Sequence, residues 1–318
     1  MRSILLVKTS SLGDVVHNLP VASDIRARFP DASIDWVVEE SFAAIPRLHP
    51  ALRRVIPVAV RRWRQALCSR ATWREVGAFR RDLQRDRYDL VLDSQGLLKS
   101  ALLARAAHGL RAGYAAEAAR ESLAARAYDR TFAIPKNLHA VERNRWLAAA
   151  ALGYEPALPL DYAIAADALA APWLPARSYA VLLTASSRDD KLWPESRWLA
   201  LAATLHGRGL ACVLPGGSVA ERDRASRLAA GMANAVAAPA LGLADMAGLL
   251  AGATAVIGVD TGLTHLAAAL GRPTLALFAG SRPELTGVHA GARALNLGGP
   301  GSPPAAAEVA AALGGLLC

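Results

Sequence analysis

Cysteine is nearly missing from this chain. Three occur in 318 residues, at Cys68, Cys212 and Cys318, and no two form a Cys-x-x-Cys pair. So sparse and odd a set excludes a disulfide framework and a thiolate zinc site, and it fits a reducing compartment. Long apolar runs are missing too. The longest uncharged one, residues 246–259, falls short of the roughly 18 residues that a bilayer-spanning helix needs. No signal-peptide pattern opens the chain, because Lys8 and Asp14 interrupt the first apolar segment. A cytoplasmic protein without a membrane span is expected. Lysine is scarce as well. Lys8, Lys99, Lys136 and Lys191 are the only four among 36 basic residues. In a chain that uses arginine almost everywhere, each lysine marks a candidate site for a compact point charge.

Glycine is short in one telling place. Residues 5–20, LLVKTSSLGDVVHNLP, read as strand, turn and helix start. A nucleotide-binding turn of this kind carries several glycines, so that backbone amides can close on a pyrophosphate. Here Gly13 stands alone and the carboxylate Asp14 follows it. A carboxylate at that corner repels phosphate, so the corner serves something else; a plain helix cap is the simplest use.

What is present is a globular composition, 53% hydrophobic and 20% charged, over a length that suggests two domains. The net charge of +9 is unevenly placed: residues 1–160 hold 25 basic and 16 acidic side chains, and residues 161–318 hold 11 of each. Arginine-rich codon usage alone does not respect a midpoint. An anionic partner for the first half is the better reading: an acidic substrate, a membrane surface or nucleic acid.

Strand-like runs ILLVK, IDWVVE, RVIPV and YDLVLD alternate with helical patterns at residues 14–29, 73–87, 95–107 and 139–152. Turn-rich residues 153–162 look like a linker, and the alternation resumes with YAVLLT, ACVLP, AVAAPA, TAVIGVD and PTLALF. Helical patterns at 194–207, 219–231, 243–252, 261–270 and 305–317 lie among and after them. The pattern predicts an α/β protein of two parallel-sheet units, with strand C-termini and helix N-termini facing a cleft.

Three loops of the second half carry nucleotide-sized chemistry. In VDTGLTH, Asp260, Thr261 and Gly262 form a turn before a helix, with His265 one turn on. Free amides there can hold a diphosphate and Asp260 can accept from sugar hydroxyls; a capped helix with a buried histidine explains the same residues. In LLTASSRDDKLWPESRW, Ser186, Ser187 and Lys191 follow a strand, and an ammonium there suits a diphosphate leaving group. The plainer alternative pairs Lys191 with Asp189 or Asp190. In VLPGGSVAERDRA, Glu221 can bind ribose hydroxyls or simply complement a helix start.

Taken together, KTSSLGDVVHNLP, RRWRQA, DSQGLLKSA, SRDDKLWPESRW and VDTGLTHLAAALGRPT resemble the lipopolysaccharide heptosyltransferases, in order and along the whole chain. The resemblance implies the GT-B fold: two Rossmann-like domains around a central cleft, an acceptor domain at 1–155 and an ADP-heptose domain at 156–318. The last helix is expected to be able to pack back on the first domain. It implies inverting transfer of L-glycero-D-manno-heptose from ADP-heptose to the Kdo of Kdo-lipid A, in the lipopolysaccharide inner core. The KTSSLGD and RRWR segments favour members adding the first heptose over those adding the second.

The family's donor contacts fall on Ser186, Ser187, Lys191, Glu221, Asp260, Thr261, Gly262 and His265, with a backbone contact near Leu241. The serine pair stands where the family has a threonine pair, and Leu241 where methionine is common. Acceptor contacts fall on Arg61, Arg62 and Arg64, with Gln65 in place of a further cation, and on Arg120. Asp14 falls on the family's candidate base. No metal or other cofactor is expected. The same resemblance places the protein peripherally on the cytoplasmic face of the inner membrane, against an anionic surface. A basic nucleic-acid-binding protein is the alternative of another class, but the arginines lack a recognition-motif context. A sugar-nucleotide epimerase would leave the basic first half unexplained.

Overall fold

A computed structural model describes residues 2–317; Cys318 lies outside them. The chain forms two compact units, one reaching Ile164 and the other beginning at Ala165. The first holds a six-stranded parallel sheet of β1 (Ser3–Val7), β2 (Ser33–Glu39), β3 (Leu52–Val58), β4 (Arg87–Asp93), β5 (His108–Tyr114) and β6 (Arg130–Phe132). The second holds β7 (Tyr179–Leu183), β8 (Ala211–Leu214), β9 (Ala235–Ala237), β10 (Ala255–Val259), β11 (Thr274–Phe278) and β12 (Ala294–Gly298).

The strand orders are β3-β2-β1-β4-β5-β6 and β12-β11-β10-β7-β8-β9. Both run third, second, first, fourth, fifth, sixth within their unit, so the topology repeats although the sequence does not. Each order reverses between its first and fourth strands, and the loops beyond the C-termini of those strands are where ligands bind in such sheets. The central strands β1, β7, β10 and β11 are buried almost end to end, as strands with helices on both faces must be.

The sequence shows four strands in the first half and five in the second, against six and six in the structure. The strands that escaped are β5, β6 and β12. HGLRAGY in β5 has few β-branched residues and two glycines. A Cβ at Gly113 would meet the Tyr128 ring at 2.4 Å, and one at Gly109 would meet the Tyr88 carbonyl at 2.4 Å. Close packing thus takes over from propensity. The expected helix at 14–29 is two, Leu12–Val16 and Leu19–Arg28. Pro20 in the first turn of the second has no N–H to continue the first.

The chain beyond Gly153 is fastened to the first unit. Arg145, on the helix Ala140–Leu152, pairs with the buried Asp24 at 2.8 Å and donates to the Leu158 carbonyl at 2.5 Å. Tyr162 and Ile164 are buried, and the first compact unit runs on to Ile164, past the expected 155. The last helix, Ala306–Leu317, packs on the helix Glu195–Gly207 and on β11, burying Val309 and Leu313. Beneath them Trp193 and Trp198 meet edge to face at 4.8 Å. Among the described residues no helix is long and apolar enough to cross a membrane.

Gly258 sets how near a site-bearing helix can lie to its strand. A Cβ there would fall 2.2 Å from Thr264 Oγ1 and 2.9 Å from Leu183 Cβ. Thr264 sits in the helix Gly262–Ala269 and donates its hydroxyl to the Val259 carbonyl at 2.7 Å. Gly258→Ala should therefore destabilise the protein by about 1–3 kcal/mol, the usual cost of overpacking. An unchanged denaturation midpoint would contradict this account of the helix–strand contact.

Candidate active site

In the first unit β1 and β4 end side by side, Val7 level with Asp93. The loop after β4 holds the loop after β1. Gln95 Oε1 accepts from the amides of Thr9 at 2.9 Å and Ser10 at 3.2 Å, and its Nε2 donates to the Ser10 carbonyl. Lys8 is 4% exposed and donates to the Ser94 carbonyl at 2.7 Å and to Asn144 Oδ1 at 3.2 Å. Burial lowers its ammonium to about 8. Lys99 donates to Ser10 Oγ at 2.7 Å.

Asp14 is the third residue of the helix Leu12–Val16, and Ser11 is the N-cap. Asp14 Oδ2 accepts the Ser11 amide at 2.8 Å, so the carboxylate closes a capping box. Its other oxygen accepts from Arg120 Nη2 at 2.5 Å. Burial works to raise this carboxyl, but Lys8, Arg120 and the Ser11 amide outweigh it and hold the group below its ordinary value. Lys8, Asp14, Gln95, Tyr114, Arg120 and Asn144 line one small pocket. Asp93 lies beneath with its oxygens taken by the Tyr128 hydroxyl at 2.7 Å and the amides of Gln95 and Gly96. Burial raises this carboxyl, but with no exposed surface it cannot meet an acceptor hydroxyl directly.

The expected acceptor arginines separate. Arg120 lies at the Asp14 carboxylate. Arg61, Arg62 and Arg64 are exposed around the short helix Val60–Trp63. Arg62 is held between Glu40 at 3.0 Å and Glu75 at 2.8 Å, and the Arg61 guanidinium lies 5.1 Å from the centre of the Phe42 ring.

In the second unit the loops after β7 and β10 meet. Lys191 Nζ contacts Asp260 Oδ2 at 2.7 Å, so its partner is neither Asp189 nor Asp190; Asp190 is taken by Arg188. Ser281 donates to the same Asp260 oxygen, and His265 Nε2 lies 3.5 Å from the other. Ser186 Oγ donates to the Asp260 carbonyl at 3.4 Å. Burial works to raise the Asp260 carboxyl, but His265, Lys191 and Ser281 hold it far below the usual range. Thr261 is the N-cap of the helix Gly262–Ala269, whose first amides lack helical partners as at any helix start.

Glu221 is bonded to its own helix start. Its Oε2 accepts the amides of Gly217 at 2.8 Å and Ser218 at 2.9 Å, closing a capping box at the helix Val219–Ala230. Ser187 is exposed, and Leu241 is half-buried just before the helix Leu243–Ala251; neither makes a hydrogen bond to the Asp260 cluster. Four participants were not foreseen: Gln95, Tyr114, Asn144 and Ser281. Ser281 follows β11, so the rule that sites gather beyond strand C-termini could have found it. Nothing local marks Asn144, which reaches Lys8 across 136 residues.

Two groups of polar residues thus stand at the two topological switch points, one built around a carboxylate held by cations, the other around an ammonium held by a carboxylate. Residues 76–304 match the model of glycosyltransferase family 9 (heptosyltransferase). The chain is 48% identical over 286 residues to lipopolysaccharide heptosyltransferase 1 of Escherichia coli K12, across 89% of this chain and 90% of that protein. In three dimensions it is similar to E. coli heptosyltransferase WaaC with ADP, with a TM-score of 0.87 and 44% identity over 99% of this chain and 98% of that one. The same enzyme with ADP-2-deoxy-2-fluoro heptose gives a TM-score of 0.84 at 43% identity, with the same coverage.

Proposed function

Because the chain belongs to glycosyltransferase family 9, the heptosyltransferases, we propose that it transfers heptose from ADP-heptose in the building of the lipopolysaccharide inner core, with the Kdo of Kdo-lipid A as acceptor and inversion at the anomeric carbon. The observation that carries the donor half is the Lys191–Asp260–Ser281 cluster at the β7/β10 switch point. An ammonium with protons to spare can hold a diphosphate while Asp260 fixes it from behind. The helix start at Thr261 adds amides and the positive end of a dipole. Ser186, Ser187, Glu221, His265 and the main chain near Leu241 complete the proposed donor site. The Lys191 ammonium and the amides at the helix start meet the diphosphate directly, and the reading includes no metal or other cofactor.

In the first unit Asp14 takes the proton of the attacking acceptor hydroxyl. A bond forms from that oxygen to the heptose anomeric carbon, the bond to the diphosphate oxygen breaks, and ADP leaves carrying the charge. Held low by Lys8 and Arg120, Asp14 is ionised at neutral pH and ready to accept. Arg120 is also an anion-binding group of the acceptor, and an acceptor anion that draws it away makes Asp14 more basic when the hydroxyl arrives. The protein is placed on the cytoplasmic face of the inner membrane, where a lipid acceptor is presented.

Arg61, Arg62 and Arg64 are assigned to the acceptor's anionic groups. Replacing all three with alanine should raise the acceptor KM by roughly tenfold or more and leave ADP affinity alone. Added salt should raise the wild-type KM in the same direction, since exposed charges are screened. Steady-state kinetics at two ionic strengths checks this; a KM indifferent to both changes rejects the assignment. The anomeric configuration of the product, read by nuclear magnetic resonance, tests inversion; a retained configuration contradicts the single-displacement reading.

A further inference from the structure

The helix Arg70–Leu83 shows different faces to its surroundings. Thr72 and Leu83 are buried, and Phe79 meets Trp63 edge to face at 5.7 Å. By helical spacing, Arg70, Trp73, Arg74 and Arg81 turn away from that face, while Glu75 and Asp82 fall on the opposite flank. There Glu75 pairs with Arg62 and Asp82 with Arg54. Among the described residues no carboxylate pairs with Arg70, Arg74, Arg80 or Arg81, all of them exposed.

The same flank carries an apolar pair. Trp73 is 60% exposed and Leu67 56%. The Trp73 indole donates to the Leu67 carbonyl at 2.8 Å. The ring is thereby tied to the turn that bears the exposed leucine, and its one polar group is satisfied. Large side chains left in water beside unpaired arginines match an amphipathic element that lies in a lipid interface.

We propose that this flank is a docking surface for an anionic phospholipid bilayer, with Trp73 and Leu67 entering the headgroup region and the arginines facing lipid phosphates. The choice of occupant follows from charge: the whole excess of positive charge lies in residues 1–160, and phospholipid is the partner that takes both an indole and an arginine array. A second exposed apolar group, Leu98, Leu102 and Leu123, has mixed charge around it, with Glu117 and Arg126 near Leu123 and Glu121 accepting the Leu98 amide; an anionic surface favours the first. The proposed acceptor arginines Arg61 and Arg64 flank Trp63, which packs on the other face of this helix. Arg61 and Arg64 precede it in the chain and lie near enough to Lys99 to help burial lower that ammonium, and Lys99 donates to Ser10 Oγ beside the Asp14 loop. The significance for catalysis rests on the lipid-acceptor reading above: docking brings the base to a sugar carried by a membrane lipid.

The test is cosedimentation of the full chain with vesicles of phosphatidylglycerol and phosphatidylcholine, against pure phosphatidylcholine, at two ionic strengths. The wild type should partition onto the anionic vesicles and be weakened by salt. Arg74→Ala with Arg81→Ala should reduce that partitioning roughly 25-fold, about fivefold for each arginine near a charged surface. Leu67→Ser with Trp73→Ala should reduce it by about tenfold. These side chains are largely exposed, so ADP affinity should stay at the wild-type value and melting should fall only slightly, through the lost Trp73 bond to Leu67. Transfer to an acyl-free Kdo acceptor should keep its kcat in both double variants, and a loss of kcat there overturns the proposal by making the flank part of the transfer site. Wild-type indifference to anionic vesicles, or variants that bind as the wild type does, also overturns it. So does binding of duplex DNA with the same arginine dependence in the absence of vesicle binding. Vesicle binding is read without donor or acceptor, so it decides this proposal even where heptose transfer fails.

Discussion

Asp14→Asn should leave a folded protein that turns over roughly 10²–10⁴ times more slowly, the usual contribution of a positioned general base. The structure makes this substitution a clean one. Asp14 closes a capping box by accepting the Ser11 amide at 2.8 Å, and the asparagine carbonyl can accept the same bond. The ion pair with the half-exposed Arg120 is lost, but an exposed guanidinium returns to water at little cost. Lys8 loses an attractive neighbour, and its buried ammonium, already lowered to about 8, shifts further down. Melting should therefore move by only a few degrees, and ADP affinity, which depends on the other unit, should not move. The pH profile carries a second signature. The Asp14 carboxyl of the free protein lies below its ordinary value, so wild-type kcat/KM, which reports the free protein, should fall only as the medium becomes acid enough to protonate it. Arg120→Ala should shift that acid limb upward, because it removes a cation that favours the charged form. Measuring melting, ADP affinity and kcat on one Asp14→Asn preparation separates the roles: near-wild-type turnover would leave Asp14 as a helix cap and nothing more.

Lys191→Ala should show the second-largest loss. The lysine is bonded to Asp260 at 2.7 Å and is mostly buried. Charge grows on the leaving diphosphate as the glycosidic bond breaks, so a preplaced ammonium is worth more in the transition state than in the ground state. Removing one such donor typically costs about 10²–10³ in kcat. Binding of ADP should weaken too, by roughly 10- to 150-fold if the contact is charge-assisted and worth about 1.5–3 kcal/mol. Alanine also leaves the Asp260 carboxylate without its ammonium, so the vacated site repels the diphosphate. Lys191→Arg discriminates further: it keeps the charge and changes the shape, so it should recover ADP affinity more than kcat. Titration of ADP and single-turnover kinetics read the two effects separately. A variant that titrates and turns over as the wild type does removes Lys191 from the site.

Much of the fold was legible because its strongest signals are local. The buried strands β1, β7, β10 and β11 are nearly continuous apolar runs, and the helices between them carry ordinary periodicity. What escaped was set by contacts distant in sequence. β5 is a strand because Gly109 and Gly113 let Tyr88 and Tyr128 come close, which nothing in HGLRAGY announces. The segment to Ile164 belongs to the first unit because Arg145 holds Leu158.

The site divides in the same way. The scarcity of lysine was informative: Lys8 and Lys191 sit in loops that follow strands and Lys99 in the first turn of the helix after β4, each with a hydrogen-bonded ammonium group, and Lys136 is exposed elsewhere. Their partners were not legible. Neighbouring acids looked like natural partners for Lys191, yet the three-dimensional neighbour is Asp260, 69 residues on. Gln95, which fixes the loop carrying Ser10 through three hydrogen bonds, lies in a motif that resemblance flagged and that chemistry alone did not.

Heptose transfer itself is tested most directly by ADP release. The purified protein is incubated with ADP-heptose, with Kdo-lipid A, and with both, and ADP is followed over time alongside the mass of the lipid. Rapid ADP release is expected only when both are present, matched one for one by acceptor gaining a single heptose. Release that needs no acceptor, or an acceptor mass that does not change while ADP accumulates, would contradict heptose transfer.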